Sequence, residues 1–334
     1  MWQFIQNQIL GMKWLKDLVY RICEQLFGTT ASGVGAYVAF FIYDMIKIFT
    51  LLCVLVYVIS FIQSYFPPDR TKRLLGPLGG LKGRIAAALL GTLTPFCSCS
   101  SIPIFMGFVS AELPLGMCFS FLISSPMVDL GSLVLLTSVF GPSIAILYVI
   151  LGLVIAVAGG SIIQTLQMED QVADFIKLTD QQKSLRTLKM DLSDRLVYAW
   201  TQLAATISLV GVYILLGVAI GALIHNQVPA ALVVKLLGKD SPFAVVLAAL
   251  LGIPMYADIF GTIPVAEALL AKGAMTGVLL SFMMAVTTLS LPSVIMLSKV
   301  VKRKLLAVFI AICTLGILCT GYLFNFLQPL LYSL

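Results

Sequence analysis

The chain has 334 residues, of which 60% are hydrophobic and only 11% are charged, and its formal net charge is +6. A soluble domain carries about 25% charged residues, so this composition excludes an ordinary water-soluble protein. Long stretches rich in Leu, Ile, Val, Ala and Gly recur without strand-type alternation, which favours membrane helices over an outer-membrane barrel.

Residues 1–30 form the first predicted element, an amphipathic segment that lies in the membrane interface. Lys13, Lys16 and Asp17 interrupt any signal-peptide core, while Trp14, Leu18 and other apolar residues recur at helical spacing. Eight predicted membrane segments follow, at about 36–66, 84–111, 114–139, 143–166, 196–226, 243–271, 274–298 and 305–332. The predicted fold class is therefore an all-α polytopic membrane protein.

An internal repeat divides these segments into two homologous halves. Residues 88–167 align without a gap with residues 249–328, and 16 of the 80 aligned positions are identical. The matched Gly, Pro and Ser positions carry the signal, because they mark the same backbone breaks in both halves. We therefore divide the chain into a first half (31–166), a charged linker (167–195) and a second half (196–334).

One membrane segment of each half is interrupted by proline and polar residues, at 84–111 and 243–271. Irregular backbone at membrane depth requires protein or a water-filled cavity to satisfy its polar groups. Paired broken segments at corresponding positions indicate the substrate site of a transporter. The two segments are predicted either as re-entrant hairpins or as kinked helices that span the membrane.

The basic residues help to choose between these arrangements. Re-entrant hairpins place 14 Lys and Arg residues on one side of the membrane and six on the other, whereas full crossings give 11 and nine. The positive-inside rule favours the hairpins, an inverted repeat and a cytoplasmic linker. Because the basic residues cluster beside the membrane, anionic lipid is a better expected partner than nucleic acid.

The densest polar run inside any segment lies between Pro95 and Pro103. An unwound backbone there points Cys97 and Cys99 to the same side, and two thiols suit a soft, thiophilic solute. Both cysteines are otherwise ordinary small buried residues. We predict a substrate site that also draws on hydroxyls and one carboxylate; its members are Cys97, Ser98, Cys99, Ser100, Ser101, Ser125, Asp129 and Thr262.

Four acidic residues lie inside the predicted membrane segments, and three of them, Asp129, Asp258 and Glu267, are candidate functional groups. Asp258 occupies the position equivalent to Cys97, and Glu267 follows the same break after Pro264. Intramembrane carboxylates are costly and mark functional sites, so Asp258 and Glu267 are predicted to carry protons. Asp129 follows a second break, at Ser124–Asp129. Asp44 and Lys47 are predicted to form a structural ion pair.

Signatures of catalysis are absent from the sequence, including a Walker A lysine and a His-Glu-x-x-His pair. His225 is the only histidine, which argues against a histidine-based metal site. We therefore expect a protein that is not an enzyme and holds neither a cofactor nor a metal ion.

The run from Thr94 to Pro103 (TPFCSCSSIP) and the run from Phe121 to Met127 (FLISSPM) resemble the ArsP-type permease family. Two runs of the second half, Gly261–Leu270 and Met283–Thr287, resemble the same family. The resemblance implies an inner-membrane permease that exports trivalent organoarsenicals, bound by thiols that map onto Cys97 and Cys99. The family usually has asparagine where Asp129 stands and often where Asp258 stands, so an acidic cavity here favours a neutral or cationic solute.

Three functions follow from these observations. The first is proton-coupled efflux of a thiophilic solute such as a trivalent organoarsenical. The second is transport of a divalent metal or a sulfur-containing metabolite, with Asp129, Asp258 and Glu267 as its ligands. The third is a membrane subunit that uses Cys97 and Cys99 for thiol redox chemistry. Each is compatible with a homo-oligomer.

Overall fold

The computed structural model of the chain describes residues 13–27, 34–65, 79–93, 98–128, 133, 136–137, 139–172, 191–227, 243–254, 266, 270 and 274–331. In chain order its helices are α1 Lys13–Phe27, α2 Val34–Gln63, α3 Gly80–Leu93, α4 Ser98–Ser110, α5 Leu115–Met127, α6 Pro142–Thr165, α7 Leu192–Gln227, α8 Ala244–Gly252, α9 Thr276–Thr288, α10 Leu291–Val300 and α11 Arg303–Leu331. The predicted all-α class is confirmed.

Several of these helices are long and apolar enough to cross a membrane. Among the described residues, three continuous spans qualify, at Phe41–Val58, Pro142–Thr165 and Arg303–Gln328. The count rises to four if α9 and Ser293–Val300 of α10, which meet at a bend of 45°, are taken as one broken span. Large apolar side chains such as Ile146, Ile150 and Val154 stay exposed along α6, as expected of a face that meets lipid. The total of eight segments remains a prediction.

The helix α1 packs on the start of α2. It buries Leu15, Val19 and Cys23 beside Ala39, and it leaves Leu18 and Ile22 about half exposed. The predicted amphipathic character is therefore present over Lys13–Phe27, but one apolar edge contacts protein. The earlier apolar residues Trp2, Phe4 and Ile9 lie outside the described part of the chain.

Two arms of the predicted broken segment 84–111 run in opposite directions along α5. The first arm, α3, is parallel to α5. Arg84 near the start of α3 lines a pocket with Pro114, which precedes α5. Farther along α3, the carbonyl of Ala88 accepts a hydrogen bond from Ser124 near the end of α5. The second arm, α4, is antiparallel to α5, because Ser101 bonds Ser125 while Phe105 packs on Phe119. The helices α3 and α4, on either side of residues 94–97, therefore run in opposite directions.

Small residues allow these helices to approach closely. An alanine Cβ at Gly91 of α3 would lie 2.9 Å from the carbonyl oxygen of Phe121 and 3.1 Å from Cβ of Ser124 in α5. Gly116 of α5 similarly faces the backbone of Gly160 in α6, and its N–H donates to Oε1 of Gln164 at 2.7 Å. Such small-residue contacts are the usual means of tight helix packing in membranes.

The second half repeats this packing at equivalent positions. Gly252 of α8 faces Phe282 and Ala285 of α9, as Gly91 faces the equivalent residues Phe121 and Ser124. The N–H of Gly277 donates to Oδ1 of Asn325 at 2.9 Å, the counterpart of the bond from Gly116 to Gln164. The helices α8, α9 and α11 therefore match α3, α5 and α6. The repeat seen in the sequence is a repeat of structure.

The two halves meet through equivalent helices. In α6 and α11, Ile155 contacts Gly316, and Gly159 contacts Ile312. The residue numbers of these contacts rise along α6 as they fall along α11, so the two helices are antiparallel. Shortly beyond the end of α6, the carbonyl of Gln171 accepts a hydrogen bond of 2.7 Å from the N–H of Lys302, the residue just before α11. The end of one helix thus lies beside the start of its counterpart.

A second pair of equivalent helices, α2 and α7, packs in the same manner. Arg195 at the start of α7 donates to the carbonyl of Ser64 at 2.6 Å, just beyond the end of α2, and its guanidinium lies 4.0 Å from the ring centre of Tyr65. Near the middle of both helices, Gly211 faces Phe49. These contacts fix α2 and α7 side by side with opposite directions.

Candidate functional site

A hydrogen bond between two fully buried serines lies at the centre of the first half. Ser101 belongs to the first turn of α4 and Ser125 to the last turn of α5, and their hydroxyl oxygens are 2.7 Å apart. Both residues were predicted to bind substrate, and the structure brings them together. The pair joins the polar start of α4 to the second break of the half.

A second set of hydroxyls lies one helix away. Oγ of Ser124 donates to the carbonyl of Ala88 at 2.7 Å, and it lies 2.9 Å from Oγ1 of Thr92. Because Thr92 is in the last turn of α3, these bonds hold the end of that arm against α5. Ser124 and Ser125, neighbours on α5, therefore anchor both arms of the broken segment.

Prolines remove backbone donors next to this cluster. Pro103 of α4 has no N–H to donate to the carbonyl of Cys99, and Pro126 of α5 has none for the carbonyl of Leu122. Both prolines lie within two residues of the Ser101–Ser125 bond. The cluster thus combines hydroxyl groups with backbone carbonyls that lack their usual helical donors.

The predicted break in the segment 114–139 is present. The helix α5 ends at Met127, and Val128 is extended, with φ −144° and ψ 109°. The hydroxyl of buried Tyr148 in α6 donates to the carbonyl of Met127 at 2.9 Å. That bond stabilises the helix end immediately before Asp129, which lies outside the described residues.

The second half has its own break between α9 and α10. The N–H of Leu291 donates to the carbonyl of Ile253 at 2.9 Å, which ties this break to the end of α8. The hydroxyls of Ser290 and Ser293 are 2.6 Å apart. Oγ1 of Thr288 is buried and has no hydrogen-bond partner within the described part of the chain. A polar ligand or a water molecule near the break would satisfy it.

The helix α4 also brings the two halves into contact. It packs on α5 of its own half and on α10 of the second half, the helix that follows the second break. A polar arm from the first half is thus packed against the broken segment of the second half, as expected of a site between two homologous halves.

The remaining predicted site residues are only partly described. Ser98, Cys99 and Ser100 are helical at the start of α4. Unwound backbone was predicted here, and this part is wrong, because the helix already begins at Ser98 despite Pro103. The argument that places Cys97 and Cys99 on one side therefore does not apply. Outside the described residues lie Cys97, Asp129, Asp258, Thr262 and Glu267.

Other predictions concern charged and metal-binding residues. Nζ of Lys47 lies 6.0 Å from the ring centre of Tyr43, while the side chain of its predicted partner Asp44 lies outside the described part. His225 falls near the end of α7. Within the described residues, no group of three His, Cys, Asp or Glu side chains is placed to hold a metal ion.

Several residues described above were not among the predicted site residues, including Thr92, Tyr148 and Thr288. Thr92 and Tyr148 sit in apolar stretches and acquire their partners only by tertiary contact. Thr288 belongs to the hydroxyl-rich run before Pro292, so its pattern was visible although its role was not.

Comparisons with known proteins give one coherent result. A family model described as ArsP_1, predicted permease, matches residues 34–326. The chain is similar to the UPF0718 protein MJ0584 of Methanocaldococcus jannaschii, with 21% identity over 319 residues that cover 79% of this chain and 85% of the relative. It is also similar to the UPF0718 protein YraQ of Escherichia coli, with 25% identity over 256 residues that cover 74% and 68%. No solved structure matches the chain significantly.

Proposed function

The chain belongs to the ArsP_1 family of predicted permeases, and on this premise we propose that it exports a small thiophilic solute from the cell by proton-coupled alternating access. Trivalent organoarsenicals are the proposed solute class, and the inner membrane is the proposed location. The solute passes without chemical change. The observation that carries the proposal is the buried Ser101–Ser125 contact at the ends of two broken segments.

The contacts between the halves support an inverted repeat. Equivalent helices pack against each other in opposite directions in both pairs, α6 with α11 and α2 with α7. A two-fold axis in the membrane plane relates such helices. Inverted halves can exchange conformations, so that the same site opens first to one side of the membrane and then to the other.

The opposite directions of α3 and α4 support a re-entrant hairpin. Arg84 and Pro114 line one pocket, so the segment begins and ends at the same level. A continuous helix of 31 residues from position 80 to position 110 would separate its ends by about 46 Å at 1.5 Å per residue. The turn between the arms would then reach into the membrane, where Cys97 and Cys99 are available to a soft metalloid.

Proton coupling is proposed for Asp258 and Glu267, with Asp129 beside the substrate. A carboxylate inside a membrane protein is most stable when protonated or paired. Release of its proton on one side would then change its affinity for a neutral or cationic solute. The buried hydroxyl of Thr288 supports a polar ligand near the break between α9 and α10, which the bond from Leu291 to Ile253 ties to the end of α8.

Transport into everted membrane vesicles tests this proposal. Vesicles with the wild-type chain are expected to accumulate a trivalent methylarsenical when a proton gradient is imposed, and to lose accumulation when a protonophore is added. The double variant Cys97→Ser with Cys99→Ser should abolish uptake at unchanged protein level. Cys319→Ser is the control, because Cys319 is exposed on α11, away from the hairpin. Undiminished uptake by the double variant would exclude the thiol site.

A further inference from the structure

A pocket of about 220 Å³ lies where the ends of three first-half helices meet. Gly80 and Arg84 contribute the start of α3, Pro114 and Met117 the start of α5, and Gln164 the end of α6. The pocket therefore has a cationic side, an amide side and an apolar side. It lies apart from the Ser101–Ser125 cluster, which occupies the opposite end of α5.

The depth of the pocket follows from the spans around it. Gln164 is the last residue but one of the apolar span Pro142–Thr165. A span of 24 residues is slightly longer than the roughly 20 needed to cross hydrocarbon, so its end reaches the headgroup region. The guanidinium of Arg84 is thus placed at the level of lipid phosphates.

Exposed apolar side chains adjoin the pocket on the helices that form it. Leu81, Ile85 and Leu89 of α3 are between 42% and 55% exposed, and Ile162 of α6 is 47% exposed. The helices α3 and α6 pack side by side. A molecule with an anionic head and hydrocarbon chains fits this combination of surfaces.

Arg84 has donors available for such a head. Its Nε donates to the carbonyl of Gly80 at 3.2 Å, which holds the side chain at the start of α3. The terminal amino groups of the guanidinium remain as the donors for an oxyanion, and arginine matches the geometry of phosphate oxygens well.

The second half shows that the fold does not require this arginine. The position equivalent to Arg84 is Val245, a buried residue that packs against Gly321. The neighbouring scaffold is nevertheless retained, since Asn325 accepts the N–H of Gly277 as Gln164 accepts that of Gly116. The charged pocket is therefore a feature of one half, and in an inverted repeat it serves one leaflet only.

We propose that this pocket binds the phosphate of an anionic phospholipid, whose acyl chains lie along the exposed face of α3. The site is separate from the Ser101–Ser125 cluster, and the proposal does not depend on which solute the protein transports. A leaflet-specific lipid contact at the start of the hairpin arm α3 would make the position of that arm sensitive to lipid composition.

Lipid titration of the purified full-length chain in detergent tests this site. The probes are phosphatidylglycerol and phosphatidylcholine with the same acyl chains, followed by native mass spectrometry and by thermal unfolding. Wild-type protein should bind its first phosphatidylglycerol more tightly than its first phosphatidylcholine and unfold several degrees higher with it. Arg84→Gln should reduce that first affinity about tenfold, as expected for one lost charge-assisted hydrogen bond.

Lys82→Gln is the matched control, because it makes the same change of charge two residues away at an exposed position outside the pocket. It should keep the wild-type preference. Arg84→Lys keeps the charge without the planar fork and should give an intermediate affinity, which covers the case that Arg84→Gln does not fold. Equal losses of phosphatidylglycerol affinity in Arg84→Gln and Lys82→Gln would overturn the proposal. So would equal affinities for the two lipids, or a rise in unfolding temperature with inorganic phosphate as large as that with phosphatidylglycerol.

Discussion

Ile155 and Gly316 occupy equivalent positions in the two halves of the chain, and they lie against each other where α6 crosses α11. An alanine Cβ at Gly316 would come within 2.6 Å of Cγ2 of Ile155. In the inverted repeat that we propose, a residue that contacts its own counterpart would lie on the axis relating the two halves, as at the centre of a symmetric dimer interface.

Substitution of Gly316 by alanine should separate the two halves at this point. The added methyl group overpacks the contact with Ile155, and we expect a loss of about 1–3 kcal/mol, seen as a lower unfolding temperature in detergent. The double variant with Ile155→Ala should recover most of the loss. Gly107→Ala is the control, since a Cβ there meets nothing within 4 Å; an equal loss in this control would contradict the explanation.

The bond between Ser101 and Ser125 should appear as a coupling free energy. In a double-mutant cycle of Ser101→Ala and Ser125→Ala, we expect the two losses of unfolding stability to be non-additive by about 0.5–1.5 kcal/mol. The pair Ser161→Ala and Ser125→Ala provides the comparison, because among the described residues the Ser161 hydroxyl donates to the carbonyl of Val157 in its own helix and to no residue of α5. Additive losses for the first pair would show that the hydroxyls do not interact.

Replacement by valine should change the unfolding temperature in opposite directions at Thr288 and Thr287. The hydroxyl of Thr287 donates to the carbonyl of Met283 at 3.0 Å, whereas that of Thr288 is buried without a partner among the described residues. Thr288→Val should therefore raise or preserve the unfolding temperature, because it removes a desolvated polar group that costs about 1–3 kcal/mol. It should also lower solute transport severalfold. Thr288→Val protein with full transport would rule out a ligand contact.

Membrane orientation can be tested at a pair of equivalent exposed residues. Ser143 near the start of α6 corresponds to Lys304 near the start of α11. In a background without native cysteines, Ser143→Cys should react with an impermeant maleimide from outside the cell, and Lys304→Cys only after the membrane is opened. A parallel repeat predicts labelling of both from the same side, so the experiment separates the two topologies directly.

The sequence predicted those features that require a particular residue type. Gly91, Gly116 and their counterparts Gly252 and Gly277 could be read from the alignment of the halves, because only a small residue permits the close approach of helices seen there. The break after Met127 was predictable for the same reason, since Pro126 and the two serines weaken the helix.

Features that depend on the partner of a side chain were not predictable. Tyr148 lies in an apolar helix, and only the packing of α5 on α6 brings the carbonyl of Met127 to its hydroxyl. The start of α4 at Ser98 also went against expectation, because the helical contacts of α4 with α5 outweigh the cost of Pro103. The helical start of α4 also removes the basis for placing the thiols of Cys97 and Cys99 on one side.

The anchoring of the linker at both of its ends bears on where the chain can accept an insertion. Val172 pairs with Val301, Lys302 bonds Gln171, and Arg195 bonds Ser64, so the chain is held to the helix bundle before position 173 and again after position 190. A longer connection between those points then costs little, because lengthening a closed loop costs only about 0.6 kcal/mol per doubling. Reporter domains inserted there are compatible with an intact bundle.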